Sequence, residues 1–211
     1  EAASSGSFSY GGGVYIYNFS TQQPTIITGL TIEDATATGP SDVYGGGAYI
    51  YVRGALSLET VKITGTETAS SGQYSRGGGL YINNASISQT TIVTCLTITD
   101  AKATATGGTY NLGGGAYIVF RTNISLDDVT IREVEAYWGG GLSLTSSTDT
   151  TLYANINNLT ITDASTGSGK SGAIYASSSY PAYLYVNITN GEYDNCGSDY
   201  LFAGNVNTSF P

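Results

Sequence analysis

The chain has no histidine, which removes Ser-His-Asp and Cys-His nucleophile systems and most zinc sites. It is also poor in positive charge: seven Lys and Arg stand against sixteen Asp and Glu, for a net charge of −9. Nucleic acid needs clustered cations to displace its counterions, and anionic membrane surfaces attract polybasic segments, so neither is expected as a partner. No apolar run approaches the roughly 20 residues of a membrane span, so none is expected in this segment. Methionine is absent and the first residue is Glu1, from which a processed mature form or a piece of something longer is expected. Charged residues make up only 11% of the chain, less than half the usual fraction of about 25%. A solubilising surface must then be built from hydroxyls, amides and tyrosine.

What is abundant is glycine, 29 residues, and tyrosine, 18 residues, with Ser and Thr supplying about a quarter of the chain. The hydrophobic fraction of 40% excludes a disordered low-complexity chain. The string Gly-Gly-Gly-x-Tyr-Ile begins at Gly11, Gly45, Gly77 and Gly113, with a weaker copy at Gly139 and a degenerate one at Ser171-Gly172-Ala173-Ile174. An apolar-x-x-apolar-x-apolar block follows the first five: Ile27, Leu30, Ile32; Leu58, Val61, Ile63; Val93, Leu96, Ile98; Leu126, Val129, Ile131; Ile156, Leu159, Ile161. In the sixth the same block is read at Tyr185, Ile188 and Asn190. Period-2 segments rich in β-branched residues mean strands, and nothing in the repeat has a helical period. A unit of about 32 residues with three short strands cannot bury its inner face alone; stacking successive units can.

The fold expected is therefore all-β: a right-handed parallel β-helix of about six coils, spanning 1–211 as one domain, with coils starting near 11, 45, 77, 113, 139 and 171 and an irregular segment over 191–211. The inward columns read Val14, Ala48, Leu80, Ala116, Leu142 and Ile16, Ile50, Ile82, Ile118, Leu144. A glycine pair running into a small residue and Ile once per coil resembles the Gly-Gly-Ala-Ile repeat of the chlamydial polymorphic outer-membrane protein passenger domains, within the pectin-lyase-like β-helix group. The resemblance spans residue 10 to about 190 and implies the fold. That family's companion motif, Phe-x-x-Asn, is absent; Tyr193-Asp194-Asn195 comes nearest.

Alternation then puts Tyr15, Tyr49, Tyr81 and Tyr117 outward on one face, extended by Tyr17 and Tyr51. Such a stripe reads as a ladder of stacked rings, a protein contact or a glycan platform. The glycines read as corner geometry or as close approach of another backbone. After each Leu-x-Ile strand lies an acidic column, Asp34, Asp100, Glu133 and Asp163, broken by Gly65. Asp at corners bonds nearby backbone N–H groups. A Ca²⁺ between coils would offset carboxylate repulsion, so Asp100, Glu133 and Asp163 are weighed as its ligands; no other cofactor is expected.

Six Asn-x-Ser/Thr sequons, at Asn18, Asn84, Asn123, Asn158, Asn187 and Asn207, exceed the roughly three expected by chance and predict N-glycosylation of an extracellular or cell-surface protein. Cys95 and Cys196 stand about three coils apart, roughly 14 Å at 4.8 Å per coil, too far for a disulfide. Adjacent carboxylates at Asp127-Asp128 and Glu33-Asp34 point to opposite strand faces, which argues against a catalytic dyad. The function expected is a non-catalytic structural protein, self-associating head to tail or laterally, with glycans as a further partner class. Two alternatives are a carbohydrate-binding or polysaccharide-cleaving β-helix, and an ice-binding one suggested by Ala35-Thr36-Ala37-Thr38-Gly39 and its recurrence at 103–107.

Overall fold

The computed structural model describes residues 1–4, 8–107, 110–166, 171–179, 181–196, 198–203 and 206–209. Every regular element among them is a β-strand, and every strand pairing is parallel, between equivalent segments of successive coils. The chain is a parallel β-solenoid of about six turns spaced about 32 residues apart.

The first four coils contribute to three sheets, and the fifth meets the first of these only through a bridge between Trp138 and Leu112. A four-stranded short sheet contains Phe8–Tyr10, Asp42–Tyr44, Tyr74–Arg76 and Tyr110–Leu112. The glycine triplet follows, and then a seven-stranded sheet that includes Val14–Asn18, Ala48–Val52, Leu80–Asn84 and Ala116–Phe120. A loop leads into the third, ten-stranded sheet of long strands such as Leu56–Ser70 and Thr91–Ala105. The pairing register reproduces the inward columns: Ala48, Leu80, Ala116 and Leu142 are successive partners, as are Ile50, Ile82, Ile118 and Leu144. These columns and Val61, Leu96, Val129 and Leu159 form one continuous hydrophobic core.

The long strands bend twice without losing their pairing. Each bend is a residue with positive φ, at Gly29, Thr60, Cys95, Asp128, Asn158 and Asn190, and five residues later at Asp34, Gly65, Asp100, Glu133, Asp163 and Asn195. The left-handed region is cheapest for Gly, Asn and Asp, which fill most of these positions. The acidic column of the sequence is thus the second bend, where Asp suits the backbone.

The three glycines of a triplet each have their own reason, as coil three shows. Gly77 has φ +65 and turns the corner. A Cβ on Gly78 would lie 2.5 Å from the carbonyl carbon of Lys102, on the long strand opposite, and one on Gly79 would lie 2.7 Å from Ile98 Cγ2. The corner is therefore pressed against the far wall and narrows the cross-section to a waist. On one side of the waist lies the aliphatic core. On the other lies a smaller lobe between the short sheet and the last leg of the long strand, filled by Ala37, Val43, Thr68, Ser75 and Ala103, all buried. There Ser75 Oγ donates to Thr68 O at 2.9 Å.

The register changes three readings of the sequence. Residues 191–211, expected to be irregular, carry the end of Leu184–Asp194 and the strands Ser198–Ala203 and Val206–Ser209, which begin a further turn. In the sixth coil the apolar block lies at Ile188, Gly191 and Tyr193, partners of Ile156, Leu159 and Ile161; Tyr185 pairs with Tyr153 instead. The two threonine runs are offset by two residues: Thr36 aligns through Glu67 with Lys102, and Thr38 through Ala69 with Thr104. The flat threonine array on which an ice-binding surface would rest does not form there.

Gly78→Ala is expected to destabilise the fold by about 3 kcal/mol, since neither neighbouring backbone can move away. Thr60→Gly, which relieves a β-branched residue at φ +55, is expected to leave stability unchanged or raise it by up to about 1 kcal/mol. Urea unfolding of both variants checks the pair.

Candidate functional site: a tyrosine seam and the corner columns

The turn at the glycines is concave, so side chains pointing outward on its two flanks face each other. Tyr49, Tyr81 and Tyr117 leave the aliphatic core as alternation requires, yet they are only 7%, 6% and 6% exposed. They form a second buried cluster with Tyr10, Tyr44, Tyr51, Leu112 and Val119. Along the solenoid the rings stack: Tyr15 on Tyr49 at 5.3 Å, Tyr49 on Tyr81 at 5.1 Å, with Tyr117 tilted on Tyr81 at 5.4 Å. Across the corner they meet edge to face, Tyr10 with Tyr49 at 4.7 Å and Tyr44 with Tyr81 at 4.9 Å. Both arrangements suit the ring quadrupole.

The expected exposed stripe is thus a buried seam over its central coils. Arg76 takes the position of Tyr10 and Tyr44 in coil three. Its guanidinium lies 4.6 Å from the Tyr74 ring centroid and 5.4 Å from that of Tyr44, and it donates from Nη1 to Tyr44 Oη at 3.1 Å. Tyr44 Oη in turn donates to Asp42 Oδ2 at 3.0 Å. In coil five, Ser143 replaces the column tyrosine and Trp138 packs beside Tyr175 at 5.6 Å. The seam opens at the first coil, where Tyr15 and Tyr17 are 51% and 46% exposed and Phe8 and Phe19 are exposed beside them. Tyr17 stacks on half-buried Tyr51 at 4.6 Å.

The sequon asparagines divide by environment. Asn84 is fully buried. Its Nδ2 donates to Thr91 Oγ1 at 2.8 Å, and its Oδ1 accepts from Ser86 N at 2.8 Å. Ser86 Oγ then accepts from Gln89 N at 2.9 Å. Half-buried Asn18 repeats the pattern with Thr25, Ser20 and Gln23. Asn-x-Ser at these two places is a loop-closing motif: the amide caps the residue two on, and the serine caps the next turn. The Asn84 amide is thus enclosed by its own loop. Asn158 and Asn187 sit in amide ladders, donating to Asp128 Oδ1 at 2.8 Å and Asn155 Oδ1 at 2.9 Å. Asn123 is exposed and uses only its Oδ1, accepting from Tyr153 N at 2.9 Å. The side chain of Asn207 lies outside the described residues.

The ladders also take up some of the carboxylates weighed for chemistry. Asp127 accepts from Asn157 at 2.7 Å and Asp163 from Asn195 at 2.6 Å. Asp100, Glu133 and Asp163 follow one another on the left-handed bend, and no group of three His, Cys, Asp or Glu among the described residues could hold a metal. Cys95 is exposed on the first bend column, and Cys196 is buried in the core, donating to Ile161 O at 3.3 Å; no disulfide joins the two. No family model, curated protein or solved structure matches the chain.

Burial pushes the hydroxyls of Tyr44, Tyr49 and Tyr81 well above the ordinary value of 10. A raised folded-state value means stability that is complete below the unfolded value and lost as pH climbs through and beyond it. The melting temperature is expected to hold steady up to about pH 9 and fall steeply above 10, with tyrosinate absorbance appearing in step with unfolding for the seam residues. Absorbance-monitored alkaline titration beside circular dichroism checks the coupling.

Proposed function

We propose that this chain is a non-catalytic extracellular structural protein, a subunit or segment of a surface filament or adhesin. One observation carries the reading. The first coil leaves the interior uncovered: Val14, Ile16, Ile27 and Leu30 are only partly buried, while their equivalents in later coils are almost wholly so. Val14–Asn18 is an edge strand with a partner on one side alone, and the exposed rings of Phe8, Tyr15, Tyr17 and Phe19 line the same end. An unpaired parallel edge with matching side-chain columns is a template for another coil, from a second copy or from the same polypeptide. End-to-end contacts of this kind are heterologous and build fibres when they do not close.

The resemblance of the glycine-pair repeat to chlamydial passenger domains and to pectin-lyase-like β-helices belongs to this reading, because it too casts the chain as a surface shaft. A rigid solenoid surfaced by hydroxyls and amides suits an extracellular place. Glycans are assigned to Asn123 and withheld from Asn84, which peptide mapping before and after enzymatic deglycosylation decides.

Electron microscopy of the protein from its native source is expected to show filaments with an axial repeat near 29 Å, about six coils at about 4.8 Å each. Isolated short rods at every concentration would overturn the self-assembling reading.

A further inference from the structure

Basic residues are so few that where they align is informative. Immediately after the seven-stranded sheet, the chain carries Phe19, Arg53, Ala85, Arg121 and Ser147 on five successive rungs; Arg53 N donates to Asn18 O, Ala85 N to Val52 O and Ser147 N to Phe120 O. The two arginines lean apart. Arg53 lies 4.6 Å from the Phe19 ring centroid on the rung before and donates from Nε to Tyr51 Oη at 3.3 Å. Arg121 donates from Nε to Ser147 Oγ at 3.3 Å on the rung after. Ala85 is left as the floor of a cleft of about 270 Å³ that also takes in Tyr51, Ser86, Ile87 and Ser88.

A second column has the same layout with the opposite sign. At the second bend of the long strands, Asp34, Gly65 and Asp100 occupy three successive rungs, and both aspartates are exposed. The Asp34 carboxylate reaches over Gly65, the small residue in the gap, and a cleft of about 260 Å³ takes in Glu67 and Lys102 beside them. Among the described residues the one ion pair is Lys102 with Glu135, at 2.7 Å. Among the described residues neither the two arginines nor the two aspartates have an ionic partner.

We propose that these columns meet between copies of the chain, the Arg53–Ala85–Arg121 column of one shaft lying along the Asp34–Gly65–Asp100 column of the next. In both, the charged residues are rooted two rungs apart, about 9.6 Å at 4.8 Å per rung, so the pitch of the solenoid matches their backbones. The guanidiniums that lean apart in the single shaft swing inward over Ala85 to reach the carboxylates. Like residues flank a small central one, and the guanidiniums are long enough to follow the leaning Asp34. Guanidinium and carboxylate pair with two parallel hydrogen bonds. The two columns lie at different corners of the cross-section, one on each side of two flats of the long sheet, so each shaft can give one column and receive the other. Lateral rows therefore grow without closing. Each exposed pair is weak and screened by salt, so the contact gains strength by repetition along a shaft and fixes lateral register more than affinity. This inference deepens the reading of the chain as a self-associating shaft and rests on it.

Charge exchange tests it, read by sedimentation velocity over a range of concentration. Wild type is expected to associate at low salt and to dissociate near 1 M salt, where the screening length is about 3 Å. Arg53→Glu/Arg121→Glu, with both columns acidic, and Asp34→Lys/Asp100→Lys, with both basic, are each expected to need about tenfold more protein to associate. An equimolar mixture of the two is expected to restore association. The left-handed bend already holds Glu133, so lysine is tolerated there, and circular dichroism confirms that each variant folds. Variants that associate as wild type does would overturn the proposal. So would a wild type that stays monomeric at low salt yet is retained on immobilised heparin, which would make the arginine cleft a polyanion site. Filaments that form end to end but ignore the charge exchange would retire the lateral contact alone and leave the shaft reading standing.

Discussion

The middle glycine of each triplet lies so close to the main chain of the long strand opposite that no side chain fits between them. From this contact the other features follow. It narrows the cross-section to a waist and separates an aliphatic lobe from a lobe of small and hydroxyl residues. It makes the corner concave, so rings on its two flanks are turned toward one another. Because the contact recurs on every rung, each coil is held at the same cross-section and the inward columns stay in step. A solenoid with a convex corner at these positions could keep the same strands and core, but its tyrosines would stand in water.

The seam then acts as a second core on the outside of the first. Its rings stack along the axis and meet edge to face across the corner, so it holds the short sheet against the seven-stranded one beyond the chain connection through the glycines. Among the described residues there is no disulfide between the two cysteines and a single ion pair, so aromatic packing across the corner is what presses these sheets together. Outside, amide-to-carboxylate ladders such as Asn157 on Asp127 and Asn195 on Asp163 run along the corners. They give these carboxylates an amide donor on the next rung.

Much of the fold was legible because identity between coils is a long-range signal. Equivalent apolar residues such as Ile50, Ile82 and Ile118 can be aligned by eye, and alignment is contact in a parallel solenoid. What escaped was curvature. Alternation says on which side of a strand Tyr81 points, but not whether the next sheet folds over it. The pairs five residues apart, Asn158 with Asp163 or Cys95 with Asp100, did carry a signal for two bends, hidden by their mixed chemistry. At Asn84 the structural role was hidden because a loop-closing asparagine and a glycan acceptor share the same three-residue pattern. The threonine seven residues on, at Thr25 and Thr91, was the clue that separated them. In the sixth coil Gly191 and Tyr193 replaced aliphatic residues, and without them the block was read three residues early.

The claim on which all of this stands is the in-register parallel stacking of coils, and engineered disulfides address it directly. In a Cys95→Ser background, Thr97→Cys with Thr130→Cys places thiols on paired residues of adjacent rungs, about 4.8 Å apart and within disulfide reach. Thr97→Cys with Thr160→Cys spans two rungs, about 9.6 Å, beyond that reach. The account predicts that the first pair oxidises within the monomer, with the fold retained, and that the second does not. Efficient bridging of the second pair, or none in the first, would contradict it.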